Sequence, residues 1–135
     1  MSRRLENVKV VPTKIESASA FSSMKPAMIA DAVPSMKPMA VRETLEKGID
    51  PPKAARVMNL LGDEAAAKVA KKIEPEALAR MVTEARPQDK APVRAVVFGK
   101  MRSTRRVVRV LEEVVKSDPR EASRSLGAMQ ERAMV

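Results

Sequence analysis

Arg102, Arg105, Arg106 and Arg109 recur at spacings of three and four, which on a helix places four guanidinium groups along one face. Each guanidinium is planar and permanently charged, and its fork of N–H donors matches two phosphate oxygens, so the chemistry on offer is polyanion binding. These residues lie in the most basic stretch of the chain. Between residues 86 and 109 eight Lys and Arg, Arg94 and Lys100 among them, oppose one acid, Asp89, so +7 of the +9 net charge falls in 24 residues. Glu112 and Glu113 follow only after the last Arg of the cluster, and Arg3, Arg4, Lys9 and Lys14 add positive charge near the N-terminus. Such a distribution is the electrostatic footprint of a nucleic-acid contact, although a charged helical face can also be merely solvated.

Composition narrows the partner. There is no Cys and no His, which removes thiol nucleophiles, disulfides, imidazole bases and the usual zinc sites. Carboxylates and Lys remain without a spacing that marks a catalytic pair, and four glycines build no phosphate loop. The expectation is a protein that is not an enzyme and has no cofactor, no metal and no small-molecule substrate. Trp and Tyr are absent and only Phe21 and Phe98 are aromatic, so no stacking platform for single strands can be built and double-stranded DNA, held by its backbone, is the better target. Ser103 and Thr104 alone offer polar base-reading groups, which points to sequence-independent contact. No apolar run approaches the ~20 residues of a membrane span, and no h-region follows Arg3 and Arg4. No membrane span, and synthesis as a soluble protein in the cytoplasm, are expected.

The elements that must carry these residues follow from a rhythm. At 135 residues one domain is the simplest organisation. Residues 1–23, basic and then Ser-rich with Pro12, read as an extended N-terminal arm. From Met24 a unit of about one dozen residues repeats: Met24, Met36, Ile49, Leu61 and Ile73 lead, and Pro26, Pro38, Pro51, Asp63 and Pro75 stand where a helix should begin. Asp50 and Asp63 can cap, and Gly48 and Gly62 sit where left-handed residues end helices. Apolar stripes follow in each unit: Met28, Ile29 and Val33; Val41 and Leu45; Ala54, Ala55 and Met58; Ala66 and Val69; Leu78, Met81 and Val82. Helices so short must stack to survive in water.

Residues 86–91 read as a polar joint, with Asp89 capping a helix that begins near Pro92. A basic helix is expected over 92–116, with Val97, Met101, Val107, Val108, Leu111 and Val115 opposite the arginines and Gly99 as a possible bend. Its valines also permit a strand at 94–98, but the apolar residues fit one helical face better. A last helix over 119–133 is capped by Ser117 or Asp118. The expected fold class is all-α: short stacked helices over 24–85 in a single domain of 24–135, then the basic helix and a C-terminal helix.

The rhythm of residues 24–85 resembles the short-helix repeats of magnesium-transporter N-terminal domains and of flagellar motor-switch proteins, which implies a superhelical protein-contact scaffold. In size, basicity and arm-plus-helices layout the whole chain resembles the major coat proteins of filamentous archaeal viruses, whose paired subunits wrap duplex DNA. That likeness implies a virion subunit, made in the host cytoplasm, that self-associates into a homo- or hetero-oligomeric filament. Arg102, Arg105, Arg106 and Arg109 would then line the DNA, helped by Arg94, Lys100, Arg3 and Arg4. The near absence of aromatic residues departs from such coats. A cellular nucleoid-associated protein would use the same residues, and an interaction scaffold would leave them incidental.

Overall fold

In the computed structural model residues 21–134 are described, and over them the chain is all-α. The N-terminal arm, with Arg3 and Arg4, lies outside the described residues. The helices are α1 (Pro26–Ala32), α2 (Pro38–Glu43), α3 (Pro51–Leu61), α4 (Asp63–Ala70), α5 (Pro75–Glu84), α6 (Pro87–Arg94), α7 (Thr104–Ser117) and α8 (Pro119–Met134). Single wider turns of π-helix prolong α2 over Thr44–Gly48 and α6 over Ala95–Lys100. The segment 94–98 is helical throughout, and no strand occurs among the described residues.

Proline sets the spacing. The residue before a proline is disfavoured in the α region, and five X–Pro steps end one helix and start the next, although Pro92 is carried inside α6. Lys25, Lys37, Asp50, Glu74 and Arg86 are accordingly extended, with ψ of 147°, 148°, 163°, 143° and 155°. At the one repeat step without proline, Gly62 breaks the chain instead with φ of +90°. It is the only described residue with positive φ, so Gly48 closes its π turn without the left-handed conformation expected of it. Asp50 caps α3 by accepting from the Lys53 N–H at 3.1 Å. Asp63, by contrast, occupies the first helical position rather than the cap.

The same rhythm runs one unit further than the sequence reading carried it. Pro87 begins α6, so residues 86–91 are its start and not a joint, and Asp89 lies inside its first turn. Ala85, buried, takes the leading apolar position that Ile73 holds one unit earlier. Phe21 also differs from expectation: it begins a turn of 3-10 helix and is buried in the core, so the arm ends before it. The Lys53 ammonium ties that turn down, donating to the main-chain oxygens of Phe21 at 3.2 Å and Ser22 at 2.8 Å.

The helices stack in two rows. Helices α1, α3, α5 and α7 each pack on the next, while α2, α4, the π turn after α6 and α8 form the second row. Between the rows the core is thin and aliphatic. Ala54, Ala55, Ala66 and Ala70 are fully buried and let backbones come close, and Met58, Met81 and Met101 fill the gaps between them. Ile29, Val33, Val41, Leu45, Leu78 and Val82 are buried as their stripes require, Val69 is half-buried, and Met28 stands exposed.

The continuous basic helix over 92–116 is not formed. Met101 is extended (ψ 139°), and the Ser103 hydroxyl accepts the Arg106 N–H at 3.3 Å, restarting the helix as α7. The break resets the helical phase. Val107, Val110 and Val114 face the core, whereas Val108 and Val115, placed on the apolar side by an unbroken helix, are exposed. At the far end Asp118, rather than Ser117, caps α8 through the Glu121 N–H at 3.2 Å.

Two substitutions separate backbone from packing in urea denaturation. Nothing lies within 4 Å of a Cβ added at Gly62, so Gly62→Ala costs about 1 kcal/mol through φ alone. Leu78→Ala, in a fully buried side chain, costs about 2–5 kcal/mol through the cavity it leaves.

Candidate nucleic-acid interface

The break between α6 and α7 decides which cations reach the surface. Met101 is buried and pins the linker, while Lys100 and Arg102 on either side of it are exposed. The π turn of α6 packs on α4, and between them lies a cleft of about 460 Å³ lined by Lys68 and Lys71 from α4 and its end and by Lys100 and Arg102 from the linker. Asp63 and Glu64, at the start of α4, are the acids on its wall. Four cations from segments some thirty residues apart therefore converge on one depression. Arg105, exposed in the first turn of α7, makes no hydrogen bond or ion pair with any described residue.

Arg106 holds this arrangement together from beneath. Its Nη2 donates to the carbonyl of Ala70 at 3.0 Å and to the carbonyl of Ile73. The C-terminal end of a helix carries the negative end of its dipole, so a guanidinium there is favoured, adding a second donor to the Ala70 carbonyl, which also accepts the Ile73 N–H at 3.2 Å. This is a correction to the sequence reading. Arg106, expected on the outward face, is half-buried, and its Nη2 joins α7 to the end of α4.

Arg94 is corrected likewise. Its Nε donates to Glu121 Oε2 at 2.6 Å and its Nη2 to Glu121 Oε1 at 3.1 Å, a two-pronged pair with a carboxylate that is fully buried. That pair fastens α8 to α6 inside the protein. Arg109 remains half exposed on α7, with Glu76 Oε2 at 3.5 Å and Glu112 Oε1 at 3.9 Å, contacts of the weak surface kind.

Of the eight sequence-predicted residues, Lys100, Arg102, Arg105 and Arg109 thus lie at the surface of the α4–α7 region, Arg94 and Arg106 are structural, and Arg3 and Arg4 are outside the described residues. Lys68 and Lys71 were missed by the sequence reading. Their signal was the run Lys68, Lys71 and Lys72 in the fourth repeat unit, which looks like an ordinary solvated face until α4 is seen to pack beside the linker.

Both phenylalanines are buried, so no aromatic surface accompanies these cations. Of the two polar base-reading candidates, Ser103 is committed to capping α7 and Thr104 stands exposed at the first helical position. Among the described residues no three acids gather closely enough to hold a metal ion, and no helix is long and apolar enough to cross a membrane. Comparison with protein-family models, with curated proteins and with solved structures finds no match for this chain.

The inward arginine is testable by stability. Arg94→Met leaves the buried Glu121 carboxylate with only the long contact to Arg124 Nη1 at 3.8 Å and lowers unfolding free energy by about 3–5 kcal/mol, and adding Glu121→Leu recovers most of the loss. Arg105→Ala, at the surface, changes it by no more than about 0.5 kcal/mol.

Proposed function

We propose that this protein packages double-stranded DNA through sequence-independent phosphate contacts, using Lys68, Lys71, Lys100, Arg102 and Arg105, with Arg109 at the margin. One observation carries the reading: cations from two distant segments converge on a single cleft beside the N-terminus of α7. A helix N-terminus favours anions, yet the first turn of α7 contains no acid and begins with Arg105 and Arg106. Arg106 is turned inward onto carbonyls and keeps its charge. Arg102 and Arg105 add to the positive end of the dipole and raise the local potential that a phosphate backbone would relieve.

The absence of any exposed aromatic side chain favours a duplex over a single strand, and the commitment of Ser103 to a cap leaves little for base readout. One contact of this kind is weak, and repeating it along a polymer of subunits multiplies avidity. The virion coat is the finest form of the proposal, with subunits assembled as a filament around the DNA. A nucleoid protein is its cellular form. A second reading, a protein-contact scaffold, is favoured by Met28 and Met39, exposed on α1 and α2 and of the adaptable type found on protein-binding surfaces.

Titrating random-sequence duplex DNA against rising salt tests the proposal. Affinity falls with a log–log slope of about −4 to −5, indifferent to sequence, and each of Lys68→Ala, Lys71→Ala, Lys100→Ala and Arg105→Ala reduces that slope by about 1. No binding at low salt sinks the reading and leaves the scaffold. Electron microscopy of the DNA complex then separates its forms: a regular filament enclosing DNA is the coat, and discrete particles are the nucleoid protein.

A further inference from the structure

The cation-lined cleft beside α4 is concave, whereas a duplex is convex. Its cations come as two pairs. Lys68 and Lys71 stand three residues apart, neighbours on one helical face. Lys100 and Arg102 flank Met101, whose extended backbone buries its own side chain and leaves theirs outside. Both pairs line one space of about 460 Å³, within the range of small-molecule sites.

Pairing leaves this space positive. Lys68, Lys71 and Lys100 make no hydrogen bond or ion pair with any described residue, and neither do Asp63 and Glu64 on the wall. The two acids belong to the first turn of α4, where the helix dipole favours carboxylates. Glu64 lies four residues before Lys68, within reach on a helix, yet the two are not paired. Four cations against two acids leave a net positive cleft, which selects an anion.

The form of the anion follows from the density of its charge. Along a nucleic-acid strand a sugar separates successive phosphates, and a duplex carries them on its outer surface, so few of them can enter a depression of this size. In a short polyphosphate neighbouring phosphorus atoms share an oxygen, and the whole chain can lie inside. Lysine ammoniums, compact charges on flexible stems, suit such a chain because they impose no fixed geometry on it. Both aromatic side chains are buried and cannot hold a base, so the phosphates themselves are what this cleft can recognise, free or as the tail of a nucleotide.

We propose that the cleft is a binding site for a short polyphosphate, held between Lys68 and Lys71 on one side and Lys100 and Arg102 on the other. A cleft so filled is closed to a DNA backbone, and polyphosphate therefore displaces DNA. Binding stands on the cleft alone; only the displacement rests on the DNA-packaging reading.

Inorganic triphosphate, free of divalent ions, is the probe. Calorimetric titration of the full-length protein at ~0.15 M ionic strength is expected to show one saturable site per chain, with orthophosphate at least about tenfold weaker. Lys68→Ala and Lys100→Ala, one from each pair and both at exposed positions that tolerate substitution, each weaken triphosphate about tenfold, equivalent to about 1.4 kcal/mol. Lys47→Ala, exposed on the π turn after α2, leaves it unchanged. ATP distinguishes the sources: affinity equal to that of triphosphate extends the site to nucleotide tails, and weaker affinity assigns it to the free chain. Triphosphate added at constant ionic strength to protein bound to random-sequence duplex releases the DNA over the range in which it fills the site. No saturable triphosphate binding by about 10 mM, or binding that Lys68→Ala and Lys100→Ala do not weaken, overturns the proposal whether or not DNA binds. DNA that stays bound while triphosphate fills the site overturns the displacement. Saturable triphosphate binding by a protein that takes up no duplex supports the site and removes the packaging reading alone.

Discussion

The Arg106 guanidinium, lodged against the carbonyls of Ala70 and Ile73, is the contact on which the arrangement of the cations rests. A stack of two-turn helices ends many chains of hydrogen bonds, and each end leaves carbonyls facing nothing. At α4 those carbonyls would meet the start of α7, itself a positive dipole end. One side chain from α7 answers them and locks the two elements at close range. Because Lys71 immediately follows α4 and Arg102 shortly precedes α7, fixing those two ends also fixes the distance between the cations. A methionine here would pack but would leave the Ile73 carbonyl without this donor and the Ala70 carbonyl with the Ile73 N–H alone, and α4 and the linker would lose their common position.

Buried charge elsewhere follows the same logic. Glu121 is fully buried at the start of α8 and is matched by Arg94 in two-pronged geometry. Asp89 is almost as buried at the start of α6 and is held by Arg56 and Asn59 of α3. In both cases an acid in the first turn of a helix, where the dipole favours it, bonds across to another helix of the stack. The apolar core is built largely of Ala and Val, which pack closely but distinguish poorly between neighbouring registers. Directional charge contacts supply the register that such a core lacks. A basic protein therefore uses several of its arginines internally, and net charge overstates what its surface can offer.

How far the sequence revealed this depends on the range of the forces involved. The proline rhythm was legible because X–Pro acts on its own neighbours: Pro26, Pro38, Pro51 and Pro75 begin helices as their local chemistry demands. The sixth unit was obscured because Lys90 stands where Ile29, Val41, Ala54, Ala66 and Leu78 stand in earlier units, and Asp89 is buried by a partner thirty residues away. The break at Met101 was local but misread. Ser103 is a good N-cap, yet the spacing of the arginines on a continuous helix concealed it. That one displacement moved Val108 and Val115 to the surface. The inward turn of Arg94 and the approach of Lys68 to the linker were not legible at all, since both are products of stacking rather than of spacing.

The stack draws several of its cations inward and leaves others exposed. Arg94 and Arg106 meet buried partners, Arg109 finds Glu76 across the helix pair, and Lys53 holds the first turn. Lys68, Lys71, Lys100 and Arg102 line one depression with two acids, and Arg105 stands exposed in the first turn of α7. Holding like charges together in a fold is unfavourable, and with a core this thin little stability is available to offset it. The cluster is tolerable because its members stand in solvent on long side chains, where repulsion is screened within about 10 Å at ordinary salt. The same screening sets its use. A site assembled from exposed cations attracts a phosphate backbone through displaced counterions, gives no advantage to one base sequence over another, and weakens as salt rises.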